Sequence, residues 1–110
     1  MDIKMEITNL SEITPREMVT GVKARFVHSS NMTIAYWELD AGASMPEHTH
    51  PHEQIVNILE GEVKYSVGSE AQNLGEDSVL VIPPNVPHGG EAIVSCRLLD
   101  VFYPVREDYR

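Results

Sequence analysis

From Val22 onward the apolar residues come in short runs separated by turn signals, a pattern of strands and not of helices. Val22 to Val27 and Met32 to Leu39 are rich in β-branched and aromatic residues, with Ser29-Ser30-Asn31 as the turn between them. Asp40-Ala41-Gly42-Ala43 is a second turn. Gln54 to Leu59 is a strand, joined by Glu60-Gly61-Glu62 to Val63 to Val67, and Gly68-Ser69 turns again. Val79 to Ile82 is a short apolar strand stopped by two prolines, and Ala92 to Phe102 is a longer one broken near Ser95. Short strands at this spacing predict an all-β sandwich or barrel. Trp37 and Tyr36 are read as core. Upstream, Thr14-Pro15-Arg16-Glu17 reads either as a capped helical turn, with Thr14 as N-cap, or as a loop. The chain thus divides into an N-terminal arm, 1–21, and a barrel, 22–110. Small barrels leave strand edges exposed, so Ile3 to Ile7 is expected to pair with a second subunit in a homodimer.

Composition narrows the function. The 110 residues suffice for one domain and one core, and 42% are apolar. Seventeen acidic against eight basic residues give a net charge of −9. This argues against nucleic acid and against an anionic membrane surface, both of which need a basic footprint. Cys96 is the single cysteine and sits in the strand-like Val94 to Leu99, so it is read as a buried, inert thiol. The N-terminus has no apolar targeting core, which makes the cytoplasm the expected compartment.

The chemistry is concentrated in His48-Thr49-His50-Pro51-His52-Glu53-Gln54. On a strand, His48, His50 and Gln54 share parity and face one side, while Glu53 points away. Pro51 makes a bulge possible. His52 is either a spare ligand or a solvated residue at the barrel mouth, and the bend at Pro51 favours the mouth. A fourth histidine, His88, follows in the rigid Pro83-Pro84-Asn85-Val86-Pro87 stretch. A polar loop explains one histidine; this many in so short a pattern point to a metal.

The second informative stretch is Leu98-Leu99-Asp100-Val101-Phe102-Tyr103-Pro104-Val105-Arg106-Glu107-Asp108-Tyr109. Asp100 and Phe102 share a strand face, Pro104 ends the strand, and Arg106 follows in a turn able to fold over the mouth. Together they would suit a carboxylated ligand, which arginine binds with a bidentate fork. The ordinary alternatives are a satisfied Asp100, a core Phe102, and an Arg106 paired with Glu107 or Asp108.

Five residues separate Gly42 from His48 and six separate Gln54 from Gly61; this segment resembles the first cupin motif, and Pro83, Asn85 and His88 resemble the second. Two departures stand out: Gln54 fills the usual carboxylate position, and the gap from Gly75 to Pro83 is two residues longer than usual. The resemblance implies a double-stranded β-helix (jelly-roll) barrel holding one divalent ion, Zn, Ni, Fe or Mn, on His48, His50, Gln54 and His88. A neutral amide in place of a carboxylate leaves the ion's charge less compensated and departs from the ligand set of iron oxygenases. With its Leu-Asp-Val-Phe-x-Pro-x-Arg-Glu-Asp tail, the chain from about Val22 onward is similar to the KdgF-type pectin-degradation cupins. That similarity implies conversion of 4,5-unsaturated monouronates to the linear 5-keto-4-deoxyuronate, with Asp100, Phe102 and Arg106 acting beside the metal. A dioxygenase or lyase, or a non-enzymatic sugar-binding module, would share the same metal motifs. An anionic substrate must also overcome the −9 charge, so the metal and Arg106 have to dominate locally; Arg25, Lys64 and Arg97 are further cations whose place the sequence does not give.

Overall fold

The computed structural model describes residues 3–110 and consists of ten strands in two antiparallel sheets. The strands are β1 (Arg16–Val19), β2 (Val22–His28), β3 (Thr33–Leu39), β4 (Ser44–His48), β5 (Glu53–Glu60), β6 (Val63–Val67), β7 (Glu70–Leu74), β8 (Val79–Ile82), β9 (His88–Ala92) and β10 (Cys96–Tyr103). The six-stranded sheet runs β1-β2-β3-β10-β5-β8 and the four-stranded sheet runs β4-β9-β6-β7. This is the expected all-β jelly-roll barrel. No helix among the described residues is long and apolar enough to cross a membrane.

Register decides what enters the barrel. In β10, Cys96, Leu98, Asp100 and Phe102 are buried while the residues between them face outward. Phe102 lies opposite Gln54, and Asp100 lies between Val56 on one side and Ala35 on the other. With a side-chain period of two, a slip of one residue would expel all of them together. The core is filled from the six-stranded sheet by residues such as Val22, Trp37, Ile58 and Leu98, and from the four-stranded sheet by Val63, Tyr65 and Ala92. Tyr36, by contrast, is only partly buried and has the outward parity of β3. Cys96 is buried, as its apolar setting suggests, and donates to the Glu62 and Val94 carbonyls at 3.2 and 3.0 Å.

Several elements differ from expectation. Thr14 to Glu17 forms no helical turn, because from Arg16 onward the backbone pairs with β2. The helical turn lies upstream at Leu10–Glu12, where the Asn9 side chain accepts from the Ser11 N–H. Ile3 to Ile7 forms no strand and stays exposed. β4, β7 and β9 carry too few apolar residues to be seen by periodicity. The histidine segment is also not one strand: β4 ends at His48, β5 starts at Glu53, and the stretch between them passes from one sheet to the other. Its carbonyl at His50 accepts from the Asn85 N–H at 2.9 Å, which ties the two histidine-bearing loops together. Asn85 has φ 64°, the left-handed conformation that explains why a glycine can serve at this position.

Gly61, between β5 and β6, has φ 92°, and a Cβ there would press on the Ser95 carbonyl and stand 2.7 Å from Cys96 Sγ. Left-handed strain plus overpacking sets the cost of Gly61→Ala at about 3 kcal/mol. Urea denaturation should show that loss; a loss under ~1 kcal/mol would mean the turn rearranges freely.

Candidate metal centre

His48 closes β4 and His88 opens β9, directly opposite in the ladder, while His50 stands in the connection to β5. One ligand atom from each of the three lies within 4.8 Å of the others. His50 and His88 are buried and His48 is exposed toward the mouth. Each ring is anchored the same way. Nδ1–H of His48 donates to the Pro46 carbonyl at 2.8 Å, that of His50 to the His52 carbonyl at 3.1 Å, and that of His88 to the Val86 carbonyl at 2.8 Å. A carbonyl only accepts, so the proton sits on Nδ1 and each Nε2 presents a bare lone pair.

Gln54 completes the arrangement. Its Nε2 donates to Asp100 Oδ2 at 2.8 Å, which turns Oε1 toward His50 Nε2 at 3.0 Å. With the His50 proton on Nδ1, two acceptors then face each other with no hydrogen between them. His88 Nε2 is buried with no hydrogen-bond partner among the described residues. Lone pairs converging in this way are what a divalent cation would satisfy, so the residues fit the metal. Burial lowers the pKa of His50 to about 4, helped by the Arg106 charge and opposed by Gln54. Burial likewise lowers that of His88. Both effects keep the imidazoles neutral, as ligation requires. Glu53 is exposed and points away, as its parity predicts. His52 lies outside the converging trio and contributes its carbonyl, which orients His50.

Beside the histidines is a cavity of about 290 Å³ lined by His48, Gln54, Asp100, Trp37, Tyr65 and Phe102, among others. It is at the small end of ligand sites, which run from ~300 Å³ upward. Asp100 is buried, and desolvation pushes its pKa up to about 7 against the pull of the Gln54 amide and the Trp37 indole N–H. The indole is thus the neighbour of the carboxyl, although neither its N–H nor Asp100 Oδ1 has a partner within hydrogen-bond distance among the described residues. Tyr65 faces the same cavity from the four-stranded sheet, its phenol held well above the usual range by burial. Sequence reasoning had no motif by which to find Tyr65 or the polar edge of Trp37.

Arg106 is buried, but its fork is already filled. Nε and Nη2 reach Asp108 at 3.0 and 2.7 Å. The guanidinium also lies 4.0 Å from the Tyr109 ring centre and 4.8 Å from that of Phe102. The bidentate grip expected for a ligand is therefore spent on Asp108, leaving Nη1, buried and without a partner among the described residues. Asp108 is the ordinary pairing partner that the sequence offered for Arg106, and Tyr109 is a neighbour to which it gave no role. The Arg106 N–H donates to Thr33 Oγ1 at 2.8 Å, and Arg16 donates to the Tyr109 carbonyl, so the tail is pinned to β3 and β1. Phe102 is buried and meets His50 edge-on at 5.7 Å. The remaining cations do not help the site: Arg25 pairs with Glu38 and Arg97 with Glu60 on the outside of the barrel, and Lys64 is exposed on β6.

The cupin domain family model matches residues 35–102. Among solved structures, an RmlC-like cupin from Shewanella frigidimarina superposes with TM-score 0.91 at 24% identity, covering 97% of each chain. KdgF from a Halomonas species superposes with TM-score 0.90 at 22% identity, covering 97% of this chain and all of the other. An uncharacterized protein of Streptomyces coelicolor is 28% identical over 85 residues, 76% of this chain and 81% of its own length.

Two outcomes follow. Replacing His88 by Ala should reduce the bound divalent ion, measured by elemental mass spectrometry on folded protein, from near stoichiometric to near zero; full retention would remove His88 from the ligand set. In chelator-treated protein, Asp100 keeps a proton when folded that the unfolded chain loses above the ordinary aspartate value of 3.8. Its contribution to stability must therefore fall as pH rises from there to about 7. The stability difference between wild type and Asp100→Asn should tilt in favour of the variant across that window; a flat difference would refute the raised pKa.

Proposed function

The chain belongs to the cupin domain family, and on that footing we propose that it is a metal-dependent enzyme opening the ring of 4,5-unsaturated monouronates to the linear 5-keto-4-deoxyuronate. The observation that carries this reading is Asp100: a buried carboxyl with a pKa near 7, lining the cavity between the Gln54 amide and the Trp37 indole. The fold shared with KdgF and the Asp100, Phe102, Arg106 tail support it.

The substrate ring is an enol ether closed as a hemiacetal. Ring opening removes the proton of the anomeric hydroxyl, forms the C1 carbonyl and breaks the bond from C1 to the ring oxygen, which leaves as the C5 enolate. Protonation at C4 then gives the C5 ketone. One proton is taken and one returned, with no oxidant and no water consumed. A group with a pKa near the working pH suits both transfers, and Asp100 is our assignment for it. A divalent ion on the three histidines and Gln54 would supply positive charge to polarise substrate oxygens. Gln54 couples the two parts, since its amide holds Asp100 while its oxygen faces the histidines. We assign the uronate carboxylate to Arg106, whose guanidinium lies behind the cavity wall 4.8 Å from the ring centre of Phe102, and Phe102 presents an apolar wall that excludes water.

With unsaturated monouronates from a lyase digest, the ultraviolet absorbance of the C4–C5 double bond should decay, and chelator should stop the decay. Asp100→Asn should lower kcat about 100-fold or more while metal content stays unchanged. Wild-type turnover in that variant, or none in metal-replete wild type, would sink the assignment.

A further inference from the structure

Trp37 is the single tryptophan of the chain, and register sets its indole beside the acid of the cavity. On β3 it lies opposite Ala24 of β2 and Leu98 of β10. Ala35, two residues earlier on the same inward face, lies opposite Asp100. Alanine is too short to cover the carboxyl. The indole stands at the diagonal position, a separation that a large aromatic side chain spans. Its ring is held from two sides: Phe26 meets it edge-on at 5.8 Å and Tyr109 at 6.3 Å, with interplanar angles of 89° and 78°.

The polar atoms of the pair are complementary. Trp37 Nε1 and Asp100 Oδ1 are both buried, and neither has a partner within hydrogen-bond distance among the described residues. A buried polar group without a partner is costly, and here a donor and an acceptor that lack partners are neighbours. The other carboxyl oxygen, Oδ2, already accepts from Gln54 Nε2 at 2.8 Å. β10 runs between β3 and β5, so Asp100 has one donor residue on each flanking strand.

We propose that Trp37 is a positioning residue for Asp100: its indole N–H closes on Oδ1 while Gln54 holds Oδ2, so that the carboxyl is clamped at both oxygens. A carboxyl held by donors from two strands cannot turn about its terminal bond, and the lone pairs left over keep one direction. Indole suits this post because it donates and does not accept. A tyrosine or histidine in its place could take up the proton that Asp100 is assigned to move. The effect on turnover rests on the uronate ring opening proposed above; the clamp itself does not.

Because the chain has one indole, ultraviolet resonance Raman spectroscopy of the full chain reads this N–H alone, through the ring band that shifts when Nε1 is hydrogen-bonded. Wild type should show the bonded position, and Asp100→Leu, with native circular dichroism, the free one. Benzothienylalanine at position 37 keeps the indole shape and puts sulfur in place of the N–H. It should lower kcat on unsaturated monouronates at least about tenfold, with KM within about threefold of wild type and metal content unchanged. Trp37→Phe should lower kcat as well, but it also leaves a cavity, which the isosteric replacement avoids. A free-indole band in wild type, a band unmoved by Asp100→Leu, or wild-type kcat in the isosteric variant would overturn the proposal. If metal-replete wild type does not turn over the uronate, the proposed activity falls, while the Raman bands still decide the clamp.

Discussion

The hydrogen bond from Gln54 to Asp100 is the constraint on which the pocket depends. It fixes the amide, so that an acceptor and not a donor faces His50. It also holds one Asp100 oxygen, while the other is buried near the Trp37 indole with no partner within hydrogen-bond distance among the described residues. A carboxylate at position 54 could not do this: it has no donor to offer, and it would set a second negative charge against a buried acid. The exchange of carboxylate for amide thus changes more than the charge at the metal. It links the proposed ligand set to the proposed proton carrier through one rigid group, and the buried surroundings make that link electrostatically strong. The three Nδ1–H anchors play the matching part for the imidazoles, each using a carbonyl two residues away in the chain.

Much of this was legible in the sequence, and the parts that were not have identifiable causes. Strand parity placed Gln54 inward and Glu53 outward, and put Asp100 and Phe102 on one face, because those residues lie in strands bounded by strong apolar neighbours. Parity was a poorer guide to His48 and His50, which lie on either side of a sheet-to-sheet crossing; they meet through the pairing of His48 with His88 and the bond from Asn85 to the His50 carbonyl. β9 was invisible because Gly89 and Gly90 have little strand propensity. Their place is forced by space, since a Cβ on Gly89 would lie 2.8 Å from the Met45 carbonyl oxygen. Tyr65 and Tyr109 approach the site from strand or tail positions that no spacing rule singles out.

Arg106 shows how a sequence can single out a residue and mistake its state. Arginine in an anionic chain, near a metal motif, reads as a free fork for a carboxylate. Burial makes that costly, because an unpaired guanidinium in a dry setting needs a counter-charge. Asp108 supplies it, and Phe102 and Tyr109 stack on the planar group. The result is a cation held in one orientation with its Nη1 amino group left without a partner among the described residues. Such an arrangement contributes direction more than affinity, which would suit the anionic substrate proposed above, since long-range charge works against it.

The same alternation that builds the pocket also builds the face behind it. Gln54 and Ile55, Asp100 and Val101, Phe102 and Tyr103 are consecutive pairs in which the first member enters the barrel and the second leaves it. Register shift in β5 or β10 would therefore disorganise the metal centre and that outer face together. The inward side resists that shift, since it would expose buried apolar side chains such as Val56, Ile58 and Leu98. This period-two frame aims the amide, the acid and the aromatic at one cavity.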